Sequence, residues 1–341
     1  MTRLKMPALN RIGQGARRFT VFACATLLFG LPASLLAQPV AKDYPNKPIR
    51  VVVPYVAGGP MDFIGRMLGR KMASSLGQNL VIDNKPGAGG AIGTDLVAKA
   101  PPDGYTMLLT SSSYASLPVI SANLPYDVVK DFVPITLATN SVGFILVVNP
   151  AVKARNVEEL IAQAKANPGK LNYGSGGIGN VMQFAAEYFN TMAGTEIAHV
   201  PYKGVAQAIV DLVAGRIDMC IGSATTLLPF IKSGQVKALG ITASQRWTEL
   251  PDVPTIAEAG IKGYVYVPWY GLWFPAGTPN EYVTRMRGEV VKAFDDPEMK
   301  RVFFEQGFVP VASTPAEFTR AIVDELELNK RLAAKMNFTP Q

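Results

Sequence analysis

The chain has 341 residues, 48% of them hydrophobic, and carries 33 Lys and Arg against 26 Asp and Glu. Five of the basic residues lie within the first 37 positions, so the remainder carries 28 basic and 26 acidic side chains and has no basic stripe for nucleic acid. His199 is the only histidine, which excludes metal sites built from several histidines.

The N-terminus has the pattern of a secretory signal. A basic, acid-free start is followed by an apolar run over 19–31, which is shorter than the ~20 residues that span a bilayer. Small residues follow, and we expect a signal peptide over 1–37 that is cleaved near Ala37. An uncut signal anchor and a twin-arginine route through Arg17 and Arg18 stay open. After cleavage we expect a soluble chain, not inserted in the membrane, with a single cysteine, Cys220, and therefore no internal disulfide.

Strands alternate with helices along the rest of the chain. Short apolar strand patterns occur at 49–54, 80–82, 106–109, 144–148, 171–173, 198–200, 217–221, 238–242 and 269–274. Helical spacing occurs at 61–76, 91–100, 157–166, 182–193, 206–214, 281–294, 297–306 and 315–332. This alternation predicts an α/β fold with parallel sheets covered on both faces. Two such series with a late return predict two lobes, with lobe 1 at 38–142 and 269–341 and lobe 2 at 143–268.

Three glycine-rich turns each follow a strand and open a helix, at 54–62, 84–93 and 173–180. We call them the first, second and third glycine turn. The first N–H groups of a helix have no partner within it, so a bare glycine end is suited to bind an anion. The first and third turns fall in different lobes and predict a shared anion site. The second turn is expected to be structural, and the simpler alternative for all three is a tight connection.

The third turn also matches G-x-G-x-x-G through Gly174, Gly176 and Gly179, which raises the alternative of an NAD-type oxidoreductase. That site needs an acidic residue at the end of the next strand to hold a ribose. Glu196 precedes that strand instead of ending it, so the context argues against a dinucleotide.

Few residues suit catalysis. His199 lies in a short apolar strand, where a packed or hydrogen-bonded role is more common than that of a base. Cys220 is expected to be an inert core thiol, and Asp62 to cap a helix. We therefore expect no enzyme activity, no metal and no cofactor.

Aromatic and hydroxyl side chains accompany the turns. Tyr55 adjoins the first glycine turn, Tyr202 follows a strand, and Trp269 and Tyr270 lie at a predicted crossing between lobes. Together they are expected to wall a small carboxylate ligand. Ser111 to Ser113 end the third strand, at the sheet edge where open α/β sheets bind ligands.

The chain resembles the Bug-type substrate-binding proteins of tripartite tricarboxylate transporters. The resemblance rests on short segments that follow one another in order over nearly the whole mature chain, at 44–50, 86–90, 102–106, 171–175, 199–204, 250–255 and 275–279. It implies a type II periplasmic-binding-protein fold, a periplasmic location, closure of two lobes on the ligand, and delivery to a two-part membrane permease.

By this resemblance, backbone groups around Gly58 and Gly59 and around Ser175 and Gly176 hold the ligand carboxylate. Two departures bear on ligand identity. Pro60 and Met61 remove a donor and a hydroxyl from the first turn, and 221–225 is polar where the family often has an acidic or amide residue. The full expected ligand-binding set is Tyr55, Gly58, Gly59, Ser112, Ser113, Ser175, Gly176, Asn180, Tyr202, Thr225, Trp269 and Tyr270.

Our hypothesis from the sequence is a monomeric receptor for a di- or tricarboxylate, aliphatic or aromatic, that partners a membrane permease. The alternatives are the dinucleotide-binding oxidoreductase and a solute receptor that feeds a sensor kinase.

Overall fold

The computed structural model describes residues 44–336, 338 and 340, and the predicted signal peptide lies outside these residues. The strands in chain order are β1 (Ile49–Val53), β2 (Leu80–Asn84), β3 (Thr106–Ser111), β4 (Phe132–Ser141), β5 (Phe144–Val148), β6 (Asn172–Ser175), β7 (Ala198–Pro201), β8 (Met219–Ser223), β9 (Lys237–Ile241), β10 (Trp269–Pro275) and β11 (Phe308–Pro310).

The α-helices alternate with these strands. They are α1 (Pro60–Leu76), α2 (Ala91–Ala98), α3 (Leu117–Ile120), α4 (Val157–Ala166), α5 (Val181–Ala193), α6 (Val205–Val213), α7 (Ala224–Lys232), α8 (Asn280–Asp295), α9 (Pro297–Glu305) and α10 (Pro315–Lys335). The elements predicted from the sequence are confirmed within three residues at their ends. The sequence did not predict β4, β11, α3 or α7.

The first sheet has the strand order β11-β4-β10-β3-β1-β2. Strands β1, β2 and β3 run parallel, whereas β10 runs antiparallel to both β3 and β4. Successive residues of β10 point to opposite faces, as a pleated strand requires. Tyr270, Leu272 and Phe274 enter the core beneath α1 and α8, and Trp269 and Trp273 enter the core shared with α10. Both faces of this sheet are therefore covered.

The second sheet has the order β7-β6-β8-β5-β9. Strands β6, β7 and β8 are parallel, and β5 is antiparallel to β8 and β9. One face packs against α4 and α5, and the other against α6 and α7. Two sheets, each with its own pair of cores, form the α/β architecture expected of a two-lobed protein.

The chain passes from the first sheet to the second between Ser141 and Phe144, and it returns between Tyr266 and Trp269. We call residues 142–143 and 266–268 the hinge segments. Tyr266 is held to the second sheet, because its amide donates to the Thr242 carbonyl at 2.8 Å and its carbonyl accepts from the Thr242 hydroxyl at 2.6 Å. The lobe boundaries after 142 and 268 stay predictions.

Helix α10 contacts both halves of the molecule. Phe318, Ile322 and Leu326 pack in a core of the first sheet, whereas Leu332 packs in a core of the second, close to α5. A single helix of 21 residues thus connects the two packing units.

Candidate functional site

The first glycine turn connects β1 to the N-terminus of α1. Gly59 is the N-cap of α1, and no side chain caps the helix there. A Cβ at this position would meet only the Val56 carbonyl oxygen, at 3.6 Å. The amide of Gly59 has no acceptor among the described residues. This helix end is therefore bare, and it carries the partial positive charge of the helix dipole.

Asp62 orders the first turn from inside. Its Oδ2 accepts hydrogen bonds from the Gly58 amide at 3.1 Å and from Arg66 Nε at 2.9 Å. The Arg66 hydrogen bond holds the pKa of Asp62 below its usual value, against the effect of burial. The Gly58 amide is thus engaged by the protein itself, which leaves Gly59 as the available donor. Met61 is buried in the core beneath α1, so its side chain does not face the turn surface.

The second glycine turn supports the first. The Tyr55 hydroxyl donates to the Gly89 carbonyl at 3.1 Å, and Asn84 Nδ2 donates to the Tyr55 carbonyl at 3.1 Å. A Cβ at Gly93 would lie 2.8 Å from Pro54 Cα, so α2 approaches β1 as closely as only glycine allows. These contacts pack the second turn against the first, and its purely structural role stays a prediction.

Serine hydroxyl groups lie near the hydroxyl of the half-buried Tyr55. Burial raises the pKa of Tyr55, and the nearby hydroxyl groups of Ser113 and Ser111 oppose the rise. Ser112 is 1% exposed, and its hydroxyl has no partner among the described residues. Ser113 is half-buried and donates its amide to Ser111 Oγ at 3.4 Å. The structure therefore gathers Tyr55, Ser112 and Ser113 at the carboxyl end of β3.

Trp269 and Tyr270 are core residues. Trp269 is 4% exposed and packs edge-to-face on Phe318, with ring centroids 5.4 Å apart. Tyr270 is 8% exposed and packs edge-to-face on Phe308 at 5.3 Å. Tyr270 pairs with Ser111 in the β3–β10 ladder, and burial together with the nearby Tyr55 phenol raises the pKa of Tyr270, so Tyr270 lies next to the hydroxyl cluster. Both rings occupy packed positions in this structure.

The third glycine turn connects β6 to α5. Asn180 caps α5, since its Oδ1 accepts from the Met182 amide at 2.9 Å. The Gly179 amide donates to Gln183 Oε1 at 2.7 Å. The amides of Gly176 and Ile178 have no acceptor among the described residues. The third turn therefore offers two free backbone donors in front of a helix N-terminus.

Ser175 and His199 form a pair that sequence reasoning missed. Ser175 is fully buried, and its Oγ lies 2.6 Å from His199 Nε2. Burial lowers the pKa of His199 to about 4, so the imidazole is neutral at neutral pH. The hydroxyl also contacts Gly177, and it is closed off from solvent, which argues against a nucleophile.

The two halves meet beside the third turn. A Cβ at Gly179 would lie 2.7 Å from Cγ2 of Ile120. Ile120 ends α3, which follows β3 in the first sheet, so the carboxyl edge of that sheet reaches the third turn of the second. Gly179 also has φ = +76°, a backbone region that favours glycine.

Tyr202 and Thr225 lie at the same edge of the second sheet. The Tyr202 amide donates to the Ser175 carbonyl at 3.2 Å, and its hydroxyl donates to Asp211 Oδ2 at 2.8 Å. Burial, together with Asp211, raises the pKa of Tyr202 to about 12. Thr225 is the second residue of α7, two positions after the cap residue Ser223.

The structure bears on the remaining chemical expectations. The Cys220 thiol is buried and donates to the Gly174 carbonyl at 3.2 Å, and burial raises its pKa to about 12. A Cβ at Gly174 would lie 2.5 Å from Ile217 Cδ1, so this glycine permits close packing of its strand. Glu196 is exposed and precedes β7, which ends at Pro201 without an acid. This context does not fit a ribose site.

Within the described part of the chain, no cluster of three or more His, Cys, Asp or Glu could hold a metal ion. Across these same residues, none of the helices is both long and apolar enough to cross a bilayer.

Two α/β sheets, each followed by a glycine turn with free backbone amides in front of a helix, define a receptor with the type II periplasmic-binding-protein fold, and solved structures of this class confirm the fold. The family model described as the tripartite tricarboxylate transporter family receptor, TctC, matches residues 64–338. The chain therefore belongs to this family of Bug-type solute receptors, whose members are periplasmic and act as binding proteins and not as enzymes.

Relatives match this chain over most of its length. Protein BugT of Bordetella pertussis is 38% identical over 296 residues, which cover 86% of this chain and 90% of BugT. The structure of R. palustris Rpa4515 with adipate is 31% identical, has a TM-score of 0.76, and matches 88% of this chain and 100% of that one. MatC from Rhodopseudomonas palustris with bound malate is 29% identical, has a TM-score of 0.71, and matches 85% of this chain and 99% of that one.

Proposed function

We propose that this receptor captures a small dicarboxylate between its two lobes and delivers it to the membrane subunits of a tripartite transporter. The observation that carries the proposal is the pair of glycine turns with free backbone amides, one in each half and each in front of a helix. Gly59 precedes α1, and the third turn precedes α5, with backbone amides that lack acceptors among the described residues. Relatives that bind adipate and malate support a ligand with two carboxylates.

The proposed contacts follow from which donors the protein leaves free. The amides of Gly59, Gly176 and Ile178 are assigned to carboxylate oxygens, because the Gly58 amide already binds Asp62. Tyr55, Ser112 and Ser113 supply hydroxyl groups from the first sheet. Asn180 ends the third turn, the Tyr202 amide bonds to the Ser175 carbonyl, and Thr225 follows β8 at the same edge of the second sheet. Trp269 and Tyr270 stay in the proposed set as packing that supports this site from the core.

The energetics are sufficient for a transport receptor. A micromolar dissociation constant corresponds to about −8 kcal/mol. Hydrogen bonds to a charged group contribute ~1.5–3 kcal/mol each, so four or five of them with two helix dipoles reach this value after entropy costs. No positively charged side chain is needed for such binding.

Closure of the lobes would couple binding to delivery. Each half holds part of the proposed site, so the ligand gains its full set of bonds only when the halves approach. The Ile120–Gly179 contact brings the two halves together beside the third turn and gives closure a starting contact. We propose a monomer in the periplasm, with the export signal over 1–37.

A thermal-shift screen tests the ligand class. The panel contains malate, adipate, citrate, terephthalate and benzoate, with a sugar and a polyamine as controls. Ligand at a hundred times its dissociation constant should stabilise the mature protein by ~2.7 kcal/mol. Stabilisation by the sugar or the polyamine alone would contradict a carboxylate receptor.

Delivery to a transporter needs a second experiment. The ligand-bound protein, carrying a photo-crosslinker, is added to membranes of the native host. Cross-links to multi-spanning permease subunits are expected, and cross-links to a sensor kinase alone would redirect the proposal from transport to signalling.

A further inference from the structure

The hydroxyl of Ser175 uses all of its hydrogen-bonding capacity within the protein. Its Oγ lies 3.0 Å from the Gly177 carbonyl oxygen, 3.2 Å from the Gly177 amide and 2.6 Å from His199 Nε2. One hydroxyl has one proton and two lone pairs, so these three contacts use its whole capacity. Ser175 is 0% exposed, and its hydroxyl is therefore not available to a ligand.

His199 reaches Ser175 from the neighbouring strand and is held rigidly. In the parallel β6–β7 ladder His199 pairs with Tyr173, and their rings stack with centroids 4.9 Å apart at 22°. The Tyr173 hydroxyl in turn donates to Glu187 Oε1 of α5 at 2.6 Å. The imidazole is thus fixed between a stacked ring and a buried hydroxyl.

The contacts at Gly177 set the shape of the third turn. Gly177 has φ = +123°, which glycine adopts without the strain that a side chain would impose. Both its amide and its carbonyl bond to Ser175 Oγ, so the turn folds back on the strand that precedes it. The free amides of Gly176 and Ile178 flank this fixed point, and their directions depend on it.

We propose that His199 is a positioning residue of the receptor: through Ser175 it fixes the third glycine turn so that the amides of Gly176 and Ile178 converge on the carboxylate. This inference rests on the proposed function and deepens it, since it assigns a role to the single histidine. It gives His199 no contact with the ligand.

The protonation state of the imidazole agrees with this role. Because burial lowers the pKa of His199 to about 4, the ring at neutral pH has one N–H and one bare nitrogen. Nε2 therefore shares a single hydrogen with Ser175 Oγ, as a structural bond requires, and adds no charge to the site.

Four variants test the proposal. His199→Phe keeps a flat ring on Tyr173 but removes Nε2, and Ser175→Ala removes the hydroxyl. The double variant combines both, and His199→Gln returns a polar group near the position of Nε2. Affinities for adipate and malate are measured by calorimetry, and amide exchange at residues 175–179 is measured by NMR without ligand.

We expect His199→Phe to weaken binding about tenfold and to speed exchange of the Gly177 amide about tenfold, as loss of one buried hydrogen bond implies, and Ser175→Ala, which also removes both bonds to Gly177, to do so at least as strongly. The double variant should bind no more weakly than Ser175→Ala, because loss of the serine hydroxyl already removes the bond that His199→Phe removes. His199→Gln should stay within about threefold of the original protein. If His199 acted through packing alone, His199→Phe would bind the ligand as well as the original protein, and His199→Gln would bind it more weakly.

The outcomes separate this inference from the proposed function. If adipate and malate bind the original protein and His199→Phe equally well, the positioning role is wrong while the receptor function stands. If the original protein binds no carboxylate, the proposed function fails, and unchanged exchange at Gly177 in His199→Phe would overturn the positioning role as well. If the Phe variant does not fold, Ser175→Ala and His199→Gln decide by the same two measurements.

Discussion

The amide of Ser141 donates a hydrogen bond to the carbonyl oxygen of Pro268, with 2.7 Å between the two atoms. Ser141 ends β4 and Pro268 precedes β10, so this bond joins the two chain crossings between the sheets. The next amide, that of Val142, bonds to the Gly307 carbonyl at 2.9 Å. The hinge segments are therefore paired backbone and not loose linkers, so the closure that we propose would need only a small rotation of a few residues.

Gly143 is the most constrained residue of the first hinge segment. Its φ is +99°, and a Cβ there would lie 2.9 Å from the Ala243 amide nitrogen. We expect Gly143→Ala to lower the free energy of unfolding by about 2–4 kcal/mol, since it combines backbone strain with overlap. Urea denaturation measures the loss.

The matched control is Gly234→Ala. Gly234 also has a positive φ, +72°, but a Cβ there meets nothing within 4 Å. This change should cost only about 1 kcal/mol of backbone strain. Equal losses in the two variants would show that close packing at the hinge does not restrict residue 143.

Gly59→Val tests the bare end of α1. The backbone of Gly59, with φ = −84° and ψ = 178°, suits any residue, so the fold should lose less than about 1 kcal/mol. The new side chain would cover the free amide, and affinity for adipate or malate should fall roughly tenfold to a hundredfold, the value of one hydrogen bond to a charged group. Calorimetry checks the affinity. Gly288→Val in α8 is the control, and unchanged binding by Gly59→Val would remove the first turn from the site.

Variants of Asp62 distinguish its role as a hydrogen-bond acceptor in the first glycine turn from the effect of its negative charge. Asp62→Ala removes the acceptor of the Gly58 amide and should weaken carboxylate binding about tenfold. Asp62→Asn keeps an oxygen for that amide and removes a negative charge beside the ligand, so it should bind at least as well as the original protein. Titration calorimetry with adipate compares them. Equal weakening in both variants would mean that the charge itself, paired with Arg66, holds the turn.

Glu325 links stability to pH at the junction of the two halves. Burial raises its pKa to about 7, although the indole of Trp269 and the phenol of Tyr266 oppose the rise. Neither donor completes a hydrogen bond of ordinary geometry. The folded protein thus keeps a proton that the unfolded chain releases above its ordinary pKa of 4.5. Stability should therefore fall as pH rises from about 4.5 to 7 and level off above that range.

Glu325→Gln removes this dependence. At pH 8 the variant should be more stable than the original protein by on the order of 2–3 kcal/mol, and at pH 4 the two should be similar. Urea unfolding at intervals between pH 4 and pH 8 measures the difference. Glu327→Gln, an exposed change on the same helix, is the control. A parallel pH profile in Glu325→Gln and the original protein would contradict a raised pKa at Glu325.

The sequence predicted the alternating architecture and all three glycine turns because their signals are local. Strand β4 was missed because Pro134 and the polar residues Thr136 and Thr139 interrupt its apolar pattern, although both threonines are fully buried in the central region of the sheet. Helix α7 was missed because Pro229 lies inside it. In both cases packing outweighs local preference.

The site itself was predictable only in part. Glycine content indicated the turns, but it did not indicate which amides stay free. That depends on the side chains of Asp62 in α1 and Gln183 in α5, which accept hydrogen bonds from the preceding amides of Gly58 and Gly179. The Ser175–His199 pair joins residues on neighbouring strands, and only strand register brings them together. Trp269 and Tyr270 were expected to wall the ligand because aromatic residues near a crossing look alike in sequence, whether they face a cleft or a core.

The course of α10 restricts how this molecule can move. Phe318 packs α10 against the first half, and Leu332 packs it against the second. A rotation that separates the two halves at α10 would break these contacts. We therefore expect the axis of any large rotation of one half relative to the other to lie close to α10. A dye attached at Val323 should then move little, whereas a dye at Ile178 should move the greatest distance. This pair of positions is therefore suited to single-molecule distance measurements of the proposed closure.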